Sequence, residues 1–379
     1  MTMPCPPRLF FSACWVRLLA GAVLLGVLGL GPTTATAQQM ETMATPAPRV
    51  TTDVIWQSYQ LPDDTALRQV STSISARVPV GSRTVVSVRA NTALTDGSNA
   101  AAFAGVGDIR LGATTRLPLG DGQVVLGLRS TLPVGTTQWD PDRFRTIVRV
   151  SRDHLRFHTP VYGQGFSIAP SIMYARPLSD RMTAGVGVRY QVRGSYEPFA
   201  NMADPFEPGN DMSVTGGLDL QLSRHWFISM DALYTWYEED SVGETPFFSS
   251  GNQLIAGVAL AGELGDDAMQ LRFRYRERGR PSVPQAGGDA VPALRTVSDY
   301  VSALGTYRWR PAPPVTLEAQ LGGRWYGASD VTEELRLVDV SLAPSLRVME
   351  DVQVRSRLTY TAGTFEGLEV GFGLVAWLR

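Results

Sequence analysis

The chain has 379 residues, 36 acidic side chains against 34 basic ones, no lysine among the latter, and only two cysteines. A net charge of −2 excludes a basic surface built to hold nucleic acid. Cys5 and Cys14 both lie at the extreme N-terminus, so the rest of the chain must hold itself together without disulfides.

The first residues read as a leader. "MTMPCPPRLFFSACWVR" carries Arg8 and Arg17, "LLAGAVLLGVLGLG" is apolar, and an A-x-A site ends at Ala37. These are the parts of a secretory signal peptide over residues 1–37, and they predict export through the periplasm. Residues 38–66 follow as an N-terminal segment. Its "DVIWQSYQLP" has two readings, a first strand or a short hatch inside a lumen.

From residue 67 to 379 no stretch is long and apolar enough for a membrane helix; period-2 alternation recurs instead. In "DIRLGATTRLPLG", Ile109, Leu111, Ala113 and Leu117 oppose Asp108, Arg110, Gly112, Thr114 and Arg116. Next comes "DPDRFRTIVRVSRDHLRF", where Asp140 suits an N-cap and Pro141 the first helical position. Phe144, Ile147, Val148 and Leu155 then follow helical spacing among arginines, predicting an amphipathic helix in an outer loop. Such a helix could cap a barrel mouth, fold inward or help form an apolar pocket.

Further along, "FSIAPSIMY" is a regular strand except for Pro170, and "SLAPSLRV" repeats the oddity at Pro344. Proline lacks the ladder N–H, so both are candidate kinks or bulges, and one reading makes them lateral openings. In "MQLRFRYRER" the parity places Arg272, Arg274 and Arg276 opposite Met269, Leu271, Phe273 and Tyr275. The same parity turns Arg324, Arg355, Arg357, Glu318 and Asp219 toward a lumen. The last strand sets Leu368, Val370, Phe372 and Leu374 against Glu369, Gly371 and Gly373, with Trp377 near its end. It resembles the assembly signal that barrel-assembly machinery reads.

Short turns such as "PLGDGQ" and "PLSDR" alternate with long links such as "LTDGSNAAAFAGVG" and "GSYEPFANMADPFEPGND". The pattern predicts an all-β fold, a transmembrane antiparallel β-barrel of about 16 strands, or 14 if weak segments drop out. Short turns face the periplasm and longer loops face outward. Aromatics near the strand ends (Tyr190, Tyr234, Trp236, Tyr275, Trp325, Tyr360) match an interfacial girdle. The expected surroundings are outer-membrane lipid and lipopolysaccharide.

Chemistry-bearing patterns are sparse. His154 and His158 have i, i+4 spacing without the glutamate of an H-E-x-x-H pair. Neither a Ser-His-Asp set nor a glycine-rich phosphate loop is recognisable, so no catalytic residue, metal or cofactor is predicted.

Three stretches together resemble the FadL/TodX-like superfamily and related barrels associated with aromatic-compound degradation: "GVGDIRLGATTRLPLG", "VVLGLRSTLPVGT" and "YGQGFSIAPSIMYARPLSDR". The resemblance covers residues 104–198. It implies an outer-membrane location in a Gram-negative bacterium and uptake of small apolar or amphipathic solutes. A general porin for polar solutes and a closed, structural or adhesive barrel remain the alternatives.

Overall fold

The computed structural model describes residues 47–199, 202–284 and 290–378. The leader read over residues 1–37 lies outside the described residues. In chain order the strands begin with β1 (Arg49–Gln60), β2 (Ala66–Val80), β3 (Thr84–Gly97), β4 (Ala100–Val106), β5 (Ile109–Leu119) and β6 (Gly122–Leu132). One helix, α1 (Pro141–Val150), precedes β7 (Ser167–Ser179), β8 (Met182–Arg193) and β9 (Phe206–Glu207). Then come β10 (Asp211–Gln221), β11 (Trp226–Tyr237), β12 (Glu239–Val242), β13 (Thr245–Ser249), β14 (Gln253–Leu264) and β15 (Asp267–Arg278). The remainder are β16 (Ser282–Val283), β17 (Val291–Pro292), β18 (Tyr300–Ala312), β19 (Val315–Tyr326), β20 (Leu335–Met349), β21 (Val352–Gly363) and β22 (Glu366–Trp377).

The long strands pair antiparallel with their neighbours in sequence, and β22 pairs with β1 from Arg49↔Trp377 to Gln60↔Glu366. The sheet is therefore closed. Seventeen strands belong to it, but β4 and β5 both pair with β3 and form one stave interrupted at Gly107–Asp108. The barrel has 16 strands. Residues 49–60 form β1, a full stave, so the barrel wall begins before residue 67. The stretch Leu94–Gly107, expected as a long loop, is instead the hairpin of β3 and β4, its register closing at Gly97↔Ala100. Alanine-rich alternation extended the ladder past the membrane-height strands.

Every connection at one end is short, such as 120–121, 180–181 and 265–266; the long ones, 133–166, 194–210, 238–252 and 279–299, share the other end. Three of the long connections build a second sheet, ordered β17-β16-β13-β12-β9.

Alternation gives the wall two chemistries. Val54, Val70, Leu126, Val186, Phe273, Leu321 and Phe372 are exposed on the outer face. No water-facing surface tolerates a continuous apolar belt of this kind, whereas lipid requires it. A 12-residue strand tilted by about 40° rises roughly 30 Å, the thickness of a hydrocarbon core. Trp56, Tyr190, Trp236, Tyr275, Trp325 and Tyr360 stand exposed near the long-loop ends of their strands, and Tyr307 and Trp309 near the opposite rim. The polar face turns inward.

Candidate functional site: an inward-folded loop

The connection 133–166 enters the barrel. Its neck is drawn together by Asp108, a buried carboxylate that accepts from Gly135 N at 2.8 Å and from Gln164 N at 2.7 Å. The two legs touch closely there. Gly163 N donates to Thr136 O at 3.0 Å, and a Cβ on Gly163 would stand 2.8 Å from Gly135 O. A Cβ on Gly135 would meet Asp108 Oδ1 at 2.8 Å. Glycine is thus required on both legs. The Gly-Asp opening of β5, the glycine after β6 and the "GQG" before β7 converge on this one neck.

α1 rides at the rim. Asp140 caps it, accepting from Arg143 N at 3.0 Å, and Pro141 opens it. Thr146 and Val150 are its buried residues; Thr146 Oγ1 accepts from Ala101 N of β4 at 3.0 Å. Phe144 and Ile147 pack against Phe103, Trp139 and Tyr162, whose rings meet edge-on. The helix stops at Val150, one turn short of Leu155. Val148 is exposed, and Leu155 lies beyond the helix, fully buried with Tyr59, Leu67, Phe157, Tyr326, Leu337 and Phe365. Leu155 is an anchor in the lumen rather than part of a helical stripe.

Past that anchor, residues 153–159 lie across one side of the lumen. Four lumen-facing residues on one rung hold them: Glu369 of β22 opposes Gln57 of β1, Gln57 opposes Gln69 of β2, and Gln69 opposes Thr95 of β3. Gln57 Nε2 donates to Arg156 O and to Glu369 Oε2, both at 3.0 Å, while its Oε1 accepts from His158 N at 2.7 Å. Gln69 Nε2 donates to Thr159 O at 3.0 Å and to Thr95 Oγ1 at 3.1 Å; its Oε1 accepts from Thr159 N at 2.9 Å. The two side-chain amides thus stand in for a neighbouring strand, satisfying backbone groups that burial would otherwise orphan. Thr95 Oγ1 also lies 2.8 Å from Tyr162 Oη.

Arg324 and Asp339 form the second anchor, Nε to Oδ2 at 2.6 Å and Nη2 to Oδ1 at 2.7 Å. Thr361 donates to Asp339 Oδ1 at 2.7 Å, and Arg324 Nη1 donates to His154 O at 2.8 Å. Arg156 reaches the same carboxylate at 3.3 Å, and its backbone sits at φ +56°, a strained value for a non-glycine residue. Arg276 pairs with Asp153 and donates to Ser298 O.

Both loop histidines are held neutral. Burial, with the charges of Arg152 and Arg324, pushes His154 down to about 4. Burial, with Arg89 and Arg357 nearby, does the same to His158, also to about 4. Arg89 Nη2 lies 3.2 Å from His158 Nε2; arginine only donates, so that nitrogen carries no proton.

The other residues picked out by parity all occupy the lumen face, but they are spread over it. Arg355 forks onto Asp53 of β1 at 2.7 and 2.9 Å. Glu318 pairs with Arg308 at 2.9 Å, and Asp219 accepts from the Ser229 hydroxyl. Arg272 is half-buried, and Arg274 and Arg357 are exposed. Of the residues picked out by parity, Arg276 and Arg324 bond to the loop, and Arg357 lies near His158. Parity put Asp108 on the polar face of its strand without singling it out as a site residue, and Gln57 and Gln69 were not marked. Inward parity was the only sequence signal of the two glutamines, and the Gly-Asp opening of β5 was that of Asp108.

At Pro170 the β6 ladder runs unbroken through Leu128↔Pro170, while on the β8 side pairing passes from Ile168↔Val192 to Ser171↔Arg189 in the same register. At Pro344 the β19 side keeps Leu317↔Pro344, and the β21 side passes from Leu342↔Leu358 to Ser345↔Arg355. Each proline omits pairs with its following hairpin partner and leaves the register unshifted.

No family model matches this sequence, and neither does any curated protein. Solved structures with a similar chain path include the CymD monoaromatic hydrocarbon channel, 11% identical over 89% of this chain and 90% of that one, TM-score 0.47. Pseudomonas putida OprB is 9% identical over 88% and 93%, TM-score 0.45. Pseudomonas aeruginosa OpdQ is 9% identical over 88% and 98%, TM-score 0.43. At these identities and scores, none of them says what passes through this barrel.

Proposed function

We propose that this chain is an outer-membrane channel whose lumen is narrowed, not sealed, by residues 151–162. The observation that supports it is the exposure of Arg110, Arg129, Asp231 and Arg274 in mid-strand on the lumen face. A packed core would bury or pair them. The loop's bonds described above go to β1, β2, β3, β15, β19 and β20, which leaves the lumen face of β5–β14 beside it. Solute passes between that wall and the loop.

The solutes that fit are small and amphipathic. Lumen-facing Met173, Val125 and Leu233 offer apolar contact among the charges, and the loop limits size. Solutes entering proteoliposomes that carry the full chain would be ranked by swelling rate. Rates that fall steeply with solute size support the reading; no swelling with the smallest sugar or amino acid overturns it.

A second reading concerns apolar solutes, which would leave sideways where Pro170 or Pro344 omits ladder pairs. Pro170→Val restores a donor there. Loss of apolar uptake in that variant, with swelling by polar solutes retained, favours lateral exit; unchanged uptake removes it.

A further inference from the structure

We propose that the passage selects small organic anions, taking their carboxylates onto a row of arginines along β3–β8. This inference rests on the channel reading above. On the lumen face of these strands every charged side chain is an arginine: Arg89, Arg110, Arg116, Arg129, Arg189 and Arg193. Within these strands no aspartate or glutamate shares that face, and Asp108, between β4 and β5, is committed to the loop neck.

The row is continuous in the ladder. Arg89 directly opposes Arg110 across β3 and β5. Arg129 of β6 opposes Gly112, two residues beyond Arg110, and on its other side opposes Ala169. Two residues past Ala169, Ser171 opposes Arg189 of β8. Each step moves around the wall and toward the short-turn end. The row starts at the constriction, where Arg89 meets His158, and leads away from it.

Like charges directly opposite each other repel, and folding gains nothing from the Arg89–Arg110 pair. The cations are also under-partnered. Arg110 and Arg129 are exposed and bridge to no carboxylate among the described residues. The Nε atoms of Arg89 and Arg189 are buried without an acceptor. Among the described residues Asp211 ion-pairs with the row, accepting from Arg189 at 3.0 Å and from Arg193 at 2.6 Å at its far end, and Asp53 lies near Arg89 at its start.

The floor between the guanidinium groups is low. Gly112 faces Ser87 and Gly127 faces Ser171, so hydroxyls and bare backbone lie beside the cations. On the next staves around the wall, β10, β11 and β14, Asp219, Asp231 and Glu263 are exposed on the lumen face. Acids on one arc of the wall and arginines on the adjoining arc set a field that draws an anion to the row. A guanidinium fork matches a carboxylate with two parallel bonds, which a spherical anion cannot use.

The test is ion selectivity of the purified full chain in planar bilayers. Under a potassium chloride gradient the wild type should prefer chloride over potassium several-fold, and millimolar benzoate should reduce chloride current by occupying the row. Arg110→Glu with Arg129→Glu should invert the preference and abolish the benzoate effect, while Arg181→Gln in a short turn leaves both unchanged. Heat-modifiable migration on gels verifies that each variant is a folded barrel. If the double variant does not fold, Arg129→Gln alone should lower the preference measurably. A conducting wild type without anion preference overturns the inference and leaves the channel reading standing. Anion preference without any effect of benzoate overturns the carboxylate assignment. A folded wild type that never conducts overturns both.

Discussion

Gln57 and Gln69 stand directly opposite each other on β1 and β2, and their amides together hold four backbone groups of the loop: Arg156 O, His158 N, and both the N–H and the carbonyl of Thr159. Neighbouring staves thus treat the loop as a further strand. A cross-strand pair of this kind usually stabilises the sheet itself; here its hydrogen bonds are spent on what crosses the lumen.

Replacing both glutamines with leucine should free the loop and spare the wall. Each neutral hydrogen bond is worth about 1 kcal/mol net, and each backbone group left unsatisfied costs roughly 1–3 kcal/mol. The ladders of β1 and β2 are untouched by the change. Limited proteolysis between residues 151 and 162 should accelerate by more than tenfold, with barrel melting unchanged on heat-modifiability gels.

The neck makes a sharper demand. Asp108→Ala removes the acceptor for both Gly135 N and Gln164 N, and Gly135→Ala drives a methyl against Asp108. Hydrogen exchange at Gly135 and Gln164 should rise in both variants. Asp108→Asn, which keeps one acceptor oxygen, should lie between them and wild type.

Acid should loosen the loop. His154 and His158 titrate near 4 when docked, against an ordinary value of 6.5. The released loop therefore binds more protons, so docking is favoured above pH 6.5 and weakens as pH falls toward 4. Each histidine shift is on the order of 3 kcal/mol. Channel noise and loop proteolysis should increase through that window. In His154→Gln with His158→Gln the increase should vanish.

The anchor pair behaves oppositely to a surface bridge. Arg324→Met leaves Asp339 buried without its fork, a loss of about 3–5 kcal/mol. Arg324→Met with Asp339→Leu should recover part of that loss in the thermal midpoint. Equal midpoints for the single and double variants would show that the pair is not coupled.

Which face a residue occupies was legible in the sequence, because strand parity is strict. That is why Arg272, Arg274, Arg276, Arg324, Arg355, Arg357, Glu318 and Asp219 share one side of the wall. The start of α1 was also legible, since a cap and an N1 proline act within one turn. Its end was not. Leu155 fits the helical period, yet its burial among Tyr59, Leu67 and Tyr326 draws the chain down into the lumen. Partners are set by closure of the barrel rather than by local pattern. Gln57 meets residues 99 and 312 positions away, and nothing in "VIWQSYQ" announces either contact.

The most direct test of a loop-narrowed channel is single-channel conductance of the wild type beside Gln57→Leu/Gln69→Leu in the same bilayer and salt. We expect small, defined steps from the wild type and steps at least twofold larger and noisier from the variant. Equal steps from both, or silence from two folded barrels, would contradict a lumen held narrow by this loop.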